Sequence, residues 1–345
     1  MKTKGRIKIV LTLFSCFIMP VIFVACSSSN QQATASFGYS SGYNPSGVAI
    51  ASSGSVWVAA QGSNAVIALS SDGVLIGTFP VGHNPRAIAI DSAGNLWVAN
   101  QLNNTVTELN NAGVLLGTFP VGDGPVAIAI DSTGNVWVVN QGSNTVTELS
   151  PIGAPVLPSP FTVGTAPAGI AIDSKGNVWV TNFGSGTTPS NTVTELSSSG
   201  ALLGRFMVGD GPVGIAIDYA GNVWVANQGY AAAPGNTVTE LSSSGALLGT
   251  FTVGSGPTGI AIASGSTIDP AGNVWVSNQY GDTVTELSPS GGTLDTFPVG
   301  YGPSGIAIDS LGNVWVANVG SNSTSLLAGV AKGPEFFPYQ GPVWP

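Results

Sequence analysis

Short apolar runs separated by turn signals fill the chain, and they recur with a period of about 40 residues. The stretch from His83 to Gly122, HNPRAIAIDSAGNLWVANQLNNTVTELNNAGVLLGTFPVG, shows the pattern cleanly. It holds four such runs: Ala87–Ile90, Leu96–Ala99, Thr105–Leu109 and Val114–Val121. Runs this short, rich in β-branched and aromatic residues and closed by Gly, Asn or Pro, read as strands. Four strands in about 40 residues, repeated, predict the blades of a β-propeller.

Two anchors count the blades. A Trp recurs at Trp57, Trp97, Trp137, Trp179, Trp224, Trp275 and Trp315, and a Pro opens each unit at Pro45, Pro85, Pro125, Pro167, Pro212, Pro257 and Pro303. Both sets number seven, so the chain is expected to be all-β: a seven-bladed propeller of four-stranded antiparallel blades. Strand a alternates Ile with Gly or Ala, as crowding near the axis requires. Strand b carries the Trp and Val that fill the wider gap between sheets, and strand c places its Glu towards the rim, where a charge is tolerated. The seventh unit loses the pattern after Asn322–Leu327, while Ala35-Ser36-Phe37 upstream of the first resembles a strand d. The N-terminal segment is therefore predicted to complete the last blade and remove an exposed edge.

The recurring Asp-Ser-x-Gly-Asn between strands a and b, as in Asp131–Asn135 and Asp173–Asn177, invites a calcium reading. One carboxylate per turn is too few for a hard-cation cage. The better account is an Asx hydrogen bond from Asp, with Gly-Asn supplying the left-handed positions of a tight hairpin. The Asn that ends strand b (Asn100, Asn140, Asn182, Asn227, Asn278 and Asn318) is expected to hydrogen-bond backbone.

From Gly42 to Asn322 the motifs GPxGIAID, GNVWVAN, NTVTEL and F-x-VG resemble those of NHL and YVTN-type bacterial propellers, including the streptogramin (virginiamycin B) lyase-like group. The resemblance implies the propeller fold. It implies activity only weakly, because one fold serves scaffolds, receptors, lyases and lactonases. Lyases of that group are metal-dependent and use catalytic histidine with acidic support, whereas this chain has one histidine, His83. No catalytic residue is carried over, and no metal or cofactor is expected.

The ends change the picture of where the protein acts. Lys2, Lys4, Arg6 and Lys8 precede an apolar run, Ile9–Val24, so residues 1–25 read as a bacterial signal peptide. Phe23-Val24-Ala25-Cys26 resembles a lipobox, which makes Cys26 the candidate lipidation site. An ordinary signal peptide cut elsewhere, or an uncleaved anchor, is the alternative. Residues 26–34 then form a flexible tether, 35–333 the propeller and 334–345 a Pro-rich tail. Cleavage before Cys26 leaves one cysteine and four basic residues against seventeen acids, about −13 in charge. Nucleic acid is an unsuitable partner for such a chain, and the expected protein is a monomeric exported lipoprotein at the outer membrane or cell surface, held to the membrane through its lipid alone.

Function in a propeller sits in its loops. The d–a and b–c loops share one face, and the residues that depart from the repeat gather there: Tyr43, His83, Arg86, Asp123, Phe183, Asp210, Tyr230, Tyr280 and Tyr301. Amides and aromatics around a shallow mouth suit a protein, peptide or carbohydrate, which favours a non-enzymatic binding or scaffold module. The alternative is a metal-dependent lyase or lactonase. Loop variation can also be mere tolerance, and the opposite face has irregularities of its own, Ser264–Asp269 in blade six and Pro151–Pro160 in blade three, which keep it open as a second candidate. His83 reads as a solvated loop histidine; as a base it would need an acid such as Asp123 beside it.

Overall fold

The computed structural model describes residues 23–24, 35–185, 189–263, 269 and 272–331. Residues 1–22 and 25–34, on which the expected signal peptide, lipidation site Cys26 and tether fall, lie outside the described residues, as do 186–188, 264–268, 270–271 and 332–345, the last holding the expected Pro-rich tail. Seven antiparallel sheets follow one another along the chain, each ordered a-b-c-d from the inside outwards. Blade two shows the unit: Pro85–Ile90, Leu96–Asn100, Thr105–Leu109 and Leu115–Pro120. In blade three the Pro-rich insertion at 151–160 shortens strand d to Phe161–Thr162.

The core lies between blades rather than within them. Trp97 and Val106 of blade two pack with Ile128, Val136, Val138 and Leu149 of blade three, all buried. The other seams repeat this arrangement, for example Trp224 and Val238 against Val274, Val276 and Leu287. Each Trp also meets the aromatic of its own strand d, as Trp97 meets Phe119 with centroids 5.5 Å apart and planes at 27°. The c–d turn of the following blade covers that aromatic with a glycine. A Cβ on Gly113, whose φ is +77°, would stand 2.1 Å from the Phe79 ring. Glycine is needed twice over there, for the left-handed backbone and for the close approach.

The innermost strands touch edge to edge, which explains their small residues. A Cβ on Gly305 would fall 2.0 Å from the Ser46 carbonyl oxygen of the neighbouring blade, and one on Gly214 2.1 Å from that of Thr258. The seven a strands enclose an axial space of about 200 Å³ lined by Gly, Ala, Val and Ile, among them Gly47, Ala87, Ile88 and Gly169.

The ring closes as expected. Ala35–Ser40 pairs antiparallel with Ser323–Leu327, from Ser36 opposite Leu327 to Ser40 opposite Ser323. Tyr39 takes the place of the strand d phenylalanine: its ring lies 5.9 Å from that of Trp315 and under Gly73 of blade one. Across the same seam Asn322 Oδ1 accepts from Asn44 N at 2.9 Å, and Ser304 Oγ donates to Ser46 O at 3.1 Å. Two residues of the signal-like run, Phe23 and Val24, pair with the outer edge of the closing strand.

Candidate functional site

The backbone builds one face in the same way in every blade. The residue after Val-Gly in each d–a loop accepts a hydrogen bond from the b–c turn beside it. Thus Leu102 N donates to His83 O at 3.2 Å, Gly142 N to Asp123 O at 2.9 Å, Gly229 N to Asp210 O at 3.0 Å and Gly320 N to Tyr301 O at 2.9 Å. Tyr43 holds the corresponding place in blade one, bonded by Gly62 N at 2.9 Å. These main-chain bonds fix the loops and leave the side chains to vary. Tyr43, Tyr301 and Leu102 are each about two-thirds or more exposed, at 67%, 69% and 72%. Tyr280, half exposed, lies against Gly256 of its own blade, so blades six, seven and one each present a tyrosine.

The predicted residues divide by what they touch. Phe183 and Tyr230 meet edge-on with centroids 5.3 Å apart, bridging blades four and five. The Tyr230 hydroxyl also donates to Phe183 O or Ser190 O (2.9 and 3.0 Å) and accepts from Ser190 N at 2.8 Å. Tyr230 therefore braces the long b–c loop of blade four. Asp123 Oδ1 accepts from Asn104 Nδ2 at 3.0 Å, and Asn103 Oδ1 accepts from the backbone N–H of His83. Among the described residues, His83 and Asp123 form no ion pair with one another. Asp210 lies in its loop with its backbone carbonyl engaged as above.

Arg86 stands apart. In blade two, Pro85 pairs with Asn100 and Ala87 with Ala99, so Arg86 is the extra residue of a β-bulge. Bulges re-aim the side chain of the unpaired residue. Arg86 is half-buried, and burial pulls its guanidinium below its ordinary pKa, although an arginine stays charged at any physiological pH. Its one side-chain hydrogen bond runs from Nη1 to Gln61 Oε1 of blade one, 3.3 Å away. Three other glutamines that open b–c loops also pair: Asn84 Nδ2 donates to Gln101 at 2.7 Å, and Gln228 Nε2 donates to Gln279 of the next blade at 2.6 Å.

Sequence reasoning passes over Gln61. Blade one has Ala60 where the others carry Asn before the glutamine, which hides the match; alignment on the following Gly-Ser-Asn reveals it.

The polar residues of the repeat correct three expectations. In Asp-x-x-Gly-Asn the Asp does cap its turn, Asp91 Oδ1 accepting from Ala93 N and Asn95 N at 2.9 and 2.8 Å. Only the glycine is left-handed, however, as Gly94 is at φ +85°. Asn95 instead bridges two carboxylates, donating to Asp91 Oδ2 at 3.1 Å and Glu108 Oε1 at 3.2 Å. The Trp97 indole N–H completes the cluster on Asp91 Oδ2 at 3.2 Å. The strand c glutamates are consequently buried, not placed at an open rim: Glu108, Glu148, Glu195, Glu240 and Glu286 are all at most 9% exposed. Burial raises the pKa of each, and Glu286 reaches about 7. The strand b asparagines bind side chains first: Asn100 Nδ2 donates to Thr105 and Thr107 at 3.2 and 2.8 Å. Only in blades four and five does their Oδ1 accept from backbone, Gly164 N and Gly209 N. Among the described residues no group of three or more His, Cys, Asp or Glu side chains could hold a metal ion. The metal that the lyase resemblance implies therefore finds no fitting ligand set in them.

Together these features define a seven-bladed β-propeller of four-stranded antiparallel blades. The chain belongs to the virginiamycin B lyase family, whose model matches residues 29–234. No curated protein matches it. Among solved structures it is similar to selenomethionine-substituted virginiamycin B lyase from Staphylococcus aureus, at 18% identity and TM-score 0.70 over 83% of this chain and 94% of that one. A catalytically inactive form of that lyase with Quinupristin gives 17% identity and TM-score 0.71, over 90% and 99% of the two chains. Hydrazine synthase from Kuenenia stuttgartiensis is as similar, at 17% identity and TM-score 0.72 over 84% and 96%. At these identities the likeness is one of fold.

Proposed function

We propose that this propeller is a cell-envelope lipoprotein, attached through Cys26, that acts as a non-enzymatic binding module for a protein, peptide or carbohydrate. The observation that supports the reading is the aromatic and cationic character of the d–a/b–c face. Private side chains gather there, including exposed Tyr43, Tyr280 and Tyr301 and the half-buried Arg86. The opposite face carries the repeated turn network, along with the 151–160 insertion and exposed Tyr219 and Leu311. The closing strand enters at that opposite end, since Ser36 pairs with Leu327 where strand c runs into the c–d side. Ala35, the first residue of that strand, therefore lies at the end away from the binding face. Exposed pairs such as Leu75/Ile76, Leu115/Leu116 and Leu247/Leu248 mark the same lower rim, and an apolar rim suits a lipid surface.

Fatty-acid analogue labelling of the wild type and Cys26→Ser tests the anchor, and equal labelling of both refutes it. Thermal-shift measurements of the mature protein against glycans and peptides test the binding role. Family membership favours a second reading, a metal-dependent lyase. A thermal shift with Mg²⁺ or Ca²⁺, abolished by chelator and accompanied by cleavage of a streptogramin B substrate, would establish it in place of the first.

A further inference from the structure

We propose that Arg86 anchors a carboxylate-binding site at the axial mouth, one that seats the acid group of a small carboxylic acid or of a peptide C-terminus. The proposal deepens the reading of the d–a/b–c face as a binding surface and rests on it. Blade construction does not require this arginine. At the same place the other blades carry Ser46, Val126, Ala168, Val213, Thr258 and Ser304, all small and uncharged. Three of these hold the ring together, because their hydroxyls bond the strand of the next blade. Ser46 Oγ bonds Arg86 O at 2.9 Å, and Thr258 Oγ1 bonds Pro303 O at 3.2 Å. Arg86 has no such hydroxyl: its backbone carbonyl accepts the seam bond from Ser46 while its guanidinium reaches the amide of Gln61 on blade one.

A guanidinium carries five N–H donors in a rigid fork. Here one of them meets an amide oxygen, and no carboxylate of the described residues lies within ion-pair distance. A half-buried cation without a counter-charge is costly, and a planar carboxylate accepting two parallel hydrogen bonds is the group that best relieves it. Charge and size narrow the ligand further. One cation neutralises a carboxylate but not a phosphate dianion, and the chain is acidic overall at −9. Ala87 and Ile88, the next two residues, already line the axial space of about 200 Å³. A short aliphatic chain behind the acid group can enter between the Gly, Ala, Val and Ile of that wall.

Titration calorimetry and thermal shift of the full mature chain test this with sodium butyrate, phosphate and chloride at constant ionic strength. A third arm compares a hydrophobic tripeptide as free acid with its C-terminal amide. Saturable stabilisation by butyrate, or by the free-acid tripeptide, is expected, with little from chloride or the amide. Preference for butyrate identifies a free small acid as the ligand, and preference for the tripeptide a chain terminus. Arg86→Val copies the residue that blade three carries in the same bulge, so it should fold, and it should weaken binding at least tenfold. Arg86→Lys should retain weaker binding, since it keeps the charge and loses the fork. Phosphate binding as tightly as either acid, unchanged binding in Arg86→Val, or no saturable carboxylate binding would overturn the assignment. If that happens while Tyr43→Ala and Tyr301→Ala still abolish binding of a glycan or peptide found in the thermal-shift measurements, only the role of Arg86 falls. If those variants bind normally too, the whole face loses its role.

Discussion

Replacing Glu286 by Gln should stabilise the protein above neutral pH and leave it nearly unchanged in acid. Glu286 is 9% exposed in strand c of blade six. Burial lifts its carboxyl to about 7 against an ordinary 4.5, a hydrogen bond from Asn273 partly offsets this, and Asp269 and Asp295 add to it. Asp295 stands directly opposite in strand d, where blades two, four and five have Gly117, Gly204 and Gly249. Because the folded-state pKa is raised, the folded protein holds the proton more tightly than the unfolded chain. That contribution is present in full below pH 4.5 and is lost as pH rises towards 7. At about 1.4 kcal/mol per pH unit, the loss amounts to about 3 kcal/mol for this one group. Glu108, Glu148, Glu195 and Glu240 shift in the same direction and deepen the trend. Asp131 shifts the other way: burial raises it, but hydrogen bonds from Thr133, Trp137 and Asn135 prevail and hold it below 3.8, so its effect lies outside this window. Gln keeps an oxygen for Asn273 Nδ2, now 2.8 Å from Glu286 Oε1, and is neutral throughout. Urea unfolding at pH 4.5 and pH 8 should show the variant more stable than wild type by about 1–3 kcal/mol at pH 8 only. A wild type that gains stability from pH 4.5 to 8, or a variant less stable than wild type at pH 8, would refute the reasoning.

Other consequences follow from the seams. Deleting residues 33–40 should lower the melting temperature sharply, because blade seven loses its outer strand; Tyr39→Ala alone should cost about 2 kcal/mol by removing the ring on Trp315. Gly113→Ala should destabilise by more than 1 kcal/mol, roughly, whereas Gly38→Ala, with nothing within 4 Å, should be nearly neutral in the same thermal assay. Trp275→Phe should cost about 1 kcal/mol less than Trp97→Phe in urea unfolding, since among the described residues the Trp275 indole N–H has no partner while that of Trp97 is bonded to Asp91.

The blades were legible because each is built from local signals. Trp and Pro set the count, Gly-Asn turns set the strand ends, and the incomplete last unit pointed to Ala35–Ser40 as its missing edge. The main-chain bonds that fix the d–a and b–c loops, such as Gly142 N to Asp123 O, follow the same repeat in every blade. Side-chain partnerships that cross strands were harder to read. Asp91, Asn95, Trp97 and Glu108 keep their spacing in Asp131, Asn135, Trp137 and Glu148, yet spacing alone does not say that Asn bridges the two acids. Glu was judged by its charge and placed in solvent, whereas a raised pKa and an asparagine donor let it be buried. The irregular Tyr230 braces the long b–c loop of blade four, a contact between blades that leaves no mark in the sequence. Gln61 and Arg86 belong to different blades, and only the ring geometry brings them together.

The binding role of the d–a/b–c face is the central claim, and alanine substitution by face tests it most directly. Once a glycan or peptide ligand is in hand, its affinity should be measured for Tyr43→Ala, Arg86→Ala and Tyr301→Ala, and for Tyr219→Ala and Leu311→Ala on the opposite face, where both are exposed. The account predicts that the first three weaken binding at least tenfold and the last two leave it unchanged. Loss of binding confined to Tyr219 and Leu311, with the first three normal, would contradict it.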